Sequence, residues 1–172
     1  MLVFEVSYLL DVFEDTLFDT IYHEHLDYHA VGPLVGFLAR HGIRLFRAER
    51  VGTHGGSVRC FAGLVDGPHA EDGTVAALIE AEHMAGLHRE HAWLGFGSRV
   101  NAARAALAGH LRQRKEEGAA IAGYGAPAKA TTLMHHFDLG PETIDFIIDD
   151  NPLKQGLLSP GLHIPVVPSK AL

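Results

Sequence analysis

The sequence predicts an α/β fold made of two unlike parts. Residues 43–51 and 57–65 are apolar strand patterns joined by Gly-Thr-His-Gly-Gly, and paired glycines supply the positive φ angles of a tight antiparallel hairpin. From residue 118 onward the pattern becomes strand, helix, strand, with apolar runs that indicate parallel pairing through right-handed crossovers. Between these parts, residues 74–117 contain few helix breakers and predict one long helix or two helices.

The first part opens with residues 2–6, an apolar run that predicts a buried strand. Residues 31–41 predict a helix that ends at Gly42. The side chains expected on one face of this helix are Leu34, Phe37 and Leu38. The hairpin that follows should bury one apolar face, made of Ile43, Leu45, Phe46, Val51, Val58, Cys60 and Ala62.

The second part begins with residues 119–125, which predict a buried strand running into a glycine turn. A helix should follow with Pro127 at its first position, where a missing N–H costs nothing. Residues 144–150 predict a second buried strand, and residues 163–167 predict a third. This half of the chain is therefore expected to form a parallel βαβ unit.

Composition and charge exclude several classes of function. The chain has 172 residues, 47% of them hydrophobic, which is enough to bury a core in one ordinary domain or two small ones. The net charge of -7 and the lack of a basic stripe exclude nucleic acid as a partner. The single cysteine, Cys60, rules out a disulfide framework or a thiolate metal cage. Because Glu5 and Asp11 interrupt the apolar N-terminal stretch, we predict no signal peptide and no membrane partner, and we expect a cytoplasmic protein.

The first candidate site is the glycine-rich turn at residues 123–128, which matches G-x-G-x-x-A between a strand and a helix. Free N–H groups at a helix N-terminus can bind phosphate or pyrophosphate. The next strand ends in Asp149 and Asp150, and a carboxylate at this place can accept hydrogen bonds from ribose hydroxyls. The candidate substrate-binding residues here are Gly123, Tyr124, Gly125, Lys129 and Asp149. The alternative is a tight turn that binds nothing, and the motif does not distinguish NAD from a nucleotide sugar.

The second candidate site is Tyr22-His23-Glu24-His25, four neighbouring groups that can exchange protons. The zinc-protease pattern H-E-x-x-H is not met, because Asp27 stands where its second histidine should be. His25 and His29 are four residues apart, but no third ligand is evident, and we predict no metal site. A histidine beside a carboxylate and a phenol fits general acid/base chemistry better. A polar loop with satisfied hydrogen bonds is the alternative.

The third candidate site is the hairpin turn at residues 53–57, Thr-His-Gly-Gly-Ser. A ligand can approach backbone closely beside glycines, so this turn leaves a binding role open. Its candidate substrate-binding residues are His54, Gly55 and Ser57.

Taken together, three blocks of the chain resemble the S-adenosylmethionine-dependent nucleotide-sugar C-methyltransferases. The blocks are FDTIYHEHLDYHAV, VGTHGGSVR, and GYGAPAKATTL with IDFIIDDNPLKQGLLSPGLHIPV, in family order. Family members consist of a cysteine-rich zinc module, a class I methyltransferase domain and a Rossmann-like C-terminal domain. The resemblance implies that the chain begins at a late strand of the middle domain and stops before the last strands of the C-terminal domain.

The resemblance also implies boundaries. Residues 1–64 match the closing part of a class I methyltransferase sheet, with strand, helix and antiparallel hairpin. Residues 65–117 are a helical connector, and residues 118–172 are an incomplete Rossmann-like nucleotide-sugar-binding unit. The cofactor implied by the family is S-adenosylmethionine, but its glycine-rich binding loop is absent from this sequence.

The family chemistry, part of deoxysugar biosynthesis, assigns roles to the second site. A proton beside the carbonyl of a nucleotide-linked keto-deoxysugar is removed to give an enolate, which attacks the donor methyl group. The resemblance makes His25 the base, with Tyr22 and Glu24 as orienting groups or stabilisers of the enolate oxygen. A nucleotide sugar is then the substrate, and either a homodimer or a complementing donor-binding chain is expected.

Two other functions remain open from sequence. One is a non-catalytic nucleotide-sugar-binding module. The other is a fragment of an NAD(P)-dependent oxidoreductase, based on residues 123–128 alone.

Overall fold

The computed structural model describes residues 1–171, which fall into two units. Unit 1 comprises Met1–Leu17 and His25–Gly97, and unit 2 comprises Phe18–Glu24 and the residues from Ser98 onward. Unit 1 contains an antiparallel three-stranded sheet, and unit 2 contains a parallel one, with helices between the strands. The predicted α/β class is confirmed. The predicted domain boundaries after residues 64 and 117 stay predictions.

The sheet of unit 1 has the order β1-β3-β2, with both pairs antiparallel. Its strands are β1 (Leu2–Ser7), β2 (Ile43–Val51) and β3 (Ser57–Leu64). The predicted hairpin is β2 and β3, with Ile43 opposite Leu64 and Val51 opposite Ser57. A β-bulge after Leu45 adds one residue to β2, so Leu45 and Ala48 both reach the core although three positions separate them.

The core of unit 1 confirms most of the predicted hairpin face. Val58, Cys60 and Ala62 are fully buried on β3. Burial raises the pKa of the Cys60 thiol to about 11, so this residue behaves as a small hydrophobe. Phe46, the bulged residue, is buried by stacking on the ring of His69, 4.6 Å away between centroids.

The prediction that the first strand is buried is wrong. In β1, Leu2 is 48% exposed and Val3 is 45% exposed. The reason is position, because β1 is an edge strand whose one partner within residues 1–171 is β3. Glu5 on this strand forms an ion pair with Arg59 on β3, with 3.0 Å between Oε2 and Nη2.

Three helices lie wholly within unit 1: α1 (Leu9–Glu14), α2 (Val31–Ala39) and α3 (Thr74–Ala85). The predicted helix over residues 31–41 is α2, but its buried face differs from the one expected. The side chains of α2 that contact the core are Val31, Leu34, Val35 and Leu38. Phe37 is 50% exposed, because the stripe at i, i+3, i+4 and i+7 leaves its position on the outer side.

A buried carboxylate holds α2 in place. Glu82 on α3 is 4% exposed and accepts hydrogen bonds from the N–H groups of Val31 (2.6 Å) and Gly32 (3.1 Å). It also accepts one from the hydroxyl of the fully buried Tyr8 (3.0 Å). The carboxylate thereby caps the N-terminus of α2, where free N–H groups and the helix dipole favour a negative charge.

The sheet of unit 2 has the order β4-β5-β6, and both pairs are parallel. Its strands are β4 (Ala122–Tyr124), β5 (Phe146–Ile148) and β6 (Val166–Val167). The helix α5 (Ala128–Phe137) lies between β4 and β5 in sequence, as the strand, helix, strand pattern predicted. The buried apolar residues of this region are Met134, Phe137, Leu139, Ile144, Ile147, Ile148, Ile164 and Val166.

Two details of the parallel unit differ from prediction. The first strand was expected to be buried, but β4 is a short edge strand whose last residue, Tyr124, is 73% exposed. Pro127 was expected at the first helical position, but it is the N-cap, with φ -71° and ψ 160°. The carbonyl of Pro127 accepts the N–H of Ala130, so the helical turn starts one residue later than expected.

The long helix α4 (Glu90–Glu116) begins in unit 1 and ends in unit 2. With α3 it confirms the predicted helical stretch as two helices. In the part of the chain that the structure describes, we find no helix with the length and apolar composition needed to cross a bilayer.

Candidate functional site

The Tyr22–His25 segment is irregular chain between a short 3-10 turn (Phe18–Thr20) and α2. The hydroxyl of Tyr22 donates a 3.0 Å hydrogen bond to Oε2 of Glu24. The ring of His23 meets the ring of Tyr22 edge-on, with 5.6 Å between centroids. Two of the three predicted catalytic residues, Tyr22 and Glu24, are therefore in direct contact.

His25 follows Glu24 in the chain but begins the second segment of unit 1, whereas Tyr22 and Glu24 belong to unit 2. The imidazole is half-buried, and its centroid lies 6.3 Å from that of the Tyr28 ring. Because the segment is not helical, no helix aligns His25 with His29. His29 instead lies 3.2 Å from the carboxylate of Asp27. Among residues 1–171 there is no group of three or more His, Cys, Asp or Glu side chains placed to hold a metal ion.

Of the three predicted binding residues in the hairpin turn, His54 and Gly55 are exposed and Ser57 is buried. Three consecutive residues have positive φ: His54 (+53°), Gly55 (+88°) and Gly56 (+136°). This conformation exposes His54 and Gly55. Ser57 is 4% exposed, and its hydroxyl donates to the carbonyl of Thr53 at 3.1 Å. The Ser57 hydroxyl therefore has a structural partner inside the turn.

The turn rests on a buried carboxylate that the sequence did not predict. Asp11 on α1 is 4% exposed, and its carboxylate contacts the guanidinium of Arg50, which also binds Glu14 at 2.6 Å. A Cβ added to Gly56 would overlap the Cβ, Cγ and Oδ2 atoms of Asp11. Burial raises the pKa of Asp11, and the hydrogen bond from Arg50 opposes that rise.

The glycine-rich turn of unit 2 forms as the motif predicted. Gly125 has φ +87°, and its N–H donates to the carbonyl of Ile148 at 2.7 Å. The next N–H, of Ala126, donates to Oδ2 of Asp149 at 2.7 Å. The protein's own carboxylate thus occupies one of the amides that a bound phosphate would use.

Asp149 is buried at the end of β5 and is fully engaged there. Its carboxylate accepts the N–H groups of Ala126 and Asn151 (2.9 Å) and the ammonium of Lys154 (3.2 Å). These backbone hydrogen bonds, followed by the positive charge of Lys154, lower the pKa of Asp149. Asp149 therefore stabilises the glycine turn through hydrogen bonds to the protein itself.

The two lysines near the turn differ in their partners. Lys129, the predicted phosphate ligand, forms an ion pair with Asp19 at 2.9 Å. Lys154 was not predicted, although its place in the turn after β5 was a usable signal. Its ammonium donates to the carbonyl of Ala126 at 2.9 Å as well as to Asp149.

The outer side of the turn carries an exposed aromatic ring. The hydroxyl of Tyr124 donates to Oδ2 of Asp150 at 2.7 Å, which fixes the direction of the ring. A small pocket of about 240 Å³ lies next to the turn, and its lining includes Ala126, Pro127, Lys154 and residues 157–160. The carboxyl ends of β4 and β5 thus present an aromatic ring, two carboxylates and a lysine, where open α/β sheets bind ligands.

Comparison with known proteins gives two findings. A model of the C-methyltransferase C-terminal domain matches residues 52–172. The chain is also 35% identical to C-methyltransferase NovU of Streptomyces niveus over 162 residues, which cover 94% of this chain and 39% of that protein. The chain therefore spans well under half the length of this relative, and it belongs to the C-methyltransferase family, of which it represents the C-terminal portion.

Proposed function

We propose that the chain handles the sugar substrate in an S-adenosylmethionine-dependent C-methylation of a nucleotide-linked keto-deoxysugar. Membership of the C-methyltransferase family supports this proposal most strongly. The second support is the hydrogen bond between the phenol of Tyr22 and the carboxylate of Glu24, with His25 as the next residue in sequence.

In the proposed reaction, His25 removes a proton from the carbon beside the keto group. The C–H electron pair forms the enolate double bond, the carbonyl electrons move to oxygen, and the proton stays on the imidazole. Imidazole suits this task because it changes protonation near neutral pH. Glu24 orients the hydroxyl of Tyr22, which can donate to the developing enolate oxygen.

Residues 1–171 do not fit the methyl donor. The sheet of unit 1 is antiparallel throughout, so it lacks the parallel strand ends at which α/β folds bind such ligands. In unit 2 the glycine turn is assigned to the nucleotide of the substrate instead. The chemistry we assign to this chain therefore ends at the enolate, and the donor would be bound elsewhere.

The nucleotide end of the substrate is assigned to the glycine turn, with Gly123, Gly125 and Lys129 near the diphosphate. Asp149 was proposed as a ribose ligand, and its internal hydrogen bonds favour a supporting role instead. His54 and Gly55, exposed on the hairpin turn, are assigned to the sugar.

Enolate formation can be tested without a methyl donor. The 172-residue chain is incubated in D₂O with a thymidine-diphosphate-linked 4-keto-6-deoxyhexose, and proton NMR follows loss of the signal beside the carbonyl. We expect the wild-type chain to speed deuterium incorporation and His25→Ala to abolish the effect. His91→Ala, on the exposed surface of α4, is the matched control and should exchange like wild type. Tight binding of the sugar nucleotide without any exchange would instead identify a non-catalytic binding module.

A further inference from the structure

Tyr124 is the most exposed aromatic side chain at the carboxyl edge of the parallel sheet. It ends β4, where 73% of its surface is open to solvent. Its neighbours on both sides, Gly123 and Gly125, have no side chains that could cover the ring. A large aromatic surface in this place is unusual, because burial of an aromatic ring normally stabilises a fold.

The ring is also held in one direction. Its hydroxyl donates a 2.7 Å hydrogen bond to Oδ2 of Asp150, which follows β5 in the adjacent part of the sheet. In the parallel pairing of β4 with β5, Tyr124 lies opposite Ile148. This pairing brings Tyr124 and Asp150 to the same edge of the sheet. A fixed, exposed ring loses little conformational entropy when another flat ring stacks on it.

The two carboxylates at this edge, those of Asp149 and Asp150, differ in burial and in hydrogen-bond partners. Asp149 is buried and accepts three hydrogen bonds from the protein. Asp150 is exposed, and within residues 1–171 its only hydrogen bond is the one from Tyr124, to Oδ2. Its Oδ1 atom therefore remains available to accept an N–H or O–H group from a ligand.

We propose that Tyr124 is the stacking platform for the base of the nucleotide, and that Asp150 orients the ring and receives a polar group of the nucleoside. This inference rests on the proposed function, since it assigns the nucleoside within the same nucleotide-sugar site. Stacking on aromatic side chains contributes affinity for any base, so the interaction selects nucleotides over bare diphosphates.

The test compares a ligand that contains a base with one that lacks it. Calorimetric titration of the 172-residue chain with thymidine diphosphate and with inorganic pyrophosphate is repeated on Tyr124→Phe and Tyr124→Ala. We expect Tyr124→Ala to weaken the binding of thymidine diphosphate roughly tenfold and to leave the affinity for pyrophosphate unchanged. Tyr124→Phe keeps the ring and should bind thymidine diphosphate within about threefold of wild type.

Phe37→Ala removes a different exposed aromatic ring, in unit 1, and should leave both affinities unchanged. Equal binding of thymidine diphosphate to wild type and Tyr124→Ala, with pyrophosphate still bound, would overturn the stacking role while the proposed site stands. Failure of the wild-type chain to bind either ligand would overturn the nucleotide site and the stacking role together.

Discussion

Gly56 and Asp11 are in such close contact that no other residue fits at position 56. A Cβ at Gly56 would overlap three atoms of the Asp11 side chain, and the backbone has φ +136°, which L side chains rarely adopt. The Asp11 side chain cannot easily move away from an added Cβ, because it is 4% exposed and paired with Arg50. The turn that carries His54 is thus fixed by a buried carboxylate beneath it.

Gly56→Ala should destabilise unit 1 by roughly 2–4 kcal/mol, through overpacking together with backbone strain. Urea unfolding measured by tryptophan fluorescence tests this, because Trp93 is the only tryptophan and packs on Phe13 in the same unit. Gly52→Ala is the control, since Gly52 has φ -78° and no atom within 4 Å of an added Cβ. Equal midpoints for the two variants would mean that the contact with Asp11 is wrong.

Glu82→Ala should destabilise unit 1 by about 3 kcal/mol. The change leaves three donors without an acceptor, namely the buried N–H group of Val31 and hydroxyl of Tyr8 and the partly buried N–H group of Gly32. Glu80→Ala, at an exposed position of the same helix, should change the free energy of unfolding by less than about 0.5 kcal/mol. Trp93 fluorescence in urea again measures both, and a small effect of Glu82→Ala would show that Glu82 does not cap α2.

The stability of the glycine turn should depend on pH through Asp149. Its pKa is lowered from 3.8 by hydrogen bonds that the unfolded chain lacks, so its contribution is present above about pH 4 and is lost as the pH falls through the folded value. Asp149→Asn should therefore be less stable than wild type at pH 7, and the difference should shrink below pH 4. Urea unfolding followed by circular dichroism between pH 3 and pH 7 measures the difference.

Asp66→Asn, which changes an exposed turn residue, is the control for this pH series and should follow the wild-type curve. A stability difference between wild type and Asp149→Asn that grows toward acid pH would contradict the assigned hydrogen bonds.

Lys129 and Asp19 should have opposite effects on nucleotide affinity. Lys129→Ala removes a positive charge from the first turn of α5 and should weaken the binding of thymidine diphosphate roughly tenfold. Asp19→Ala removes the carboxylate that now holds Lys129 and should strengthen binding. Calorimetric titration of both variants tests this, and weaker binding by Asp19→Ala would mean that Lys129 acts only in packing the 3-10 turn against α5.

Much of the fold follows from sequence patterns that are local. Gly55 and Gly56 predicted the hairpin turn, and the apolar run around Ile147 predicted the central parallel strand. Two of the failures concern burial at the margins, where β1 and β4 are edge strands. A strand's own sequence does not reveal how many neighbours it has, so its exposure could not be predicted.

The candidate sites were predicted less completely, because their partners are distant in sequence. Nothing near Gly56 indicated that Asp11 lies beneath it, and nothing near Ala126 indicated that the carboxylate of Asp149 binds its N–H group. The Tyr22–Glu24 contact was accessible, since the two residues are only two positions apart. Long-range polar contacts of this kind are set by the register of strands and helices.

The central claim is that His25 forms the enolate, and the rate of deuterium exchange beside the sugar carbonyl measures it most directly. We predict that wild type exchanges about 10²–10⁴ times faster than His25→Ala at neutral pH, the range typical of a positioned general base. Equal exchange rates for the two proteins, with sugar nucleotide bound to both, would contradict the claim.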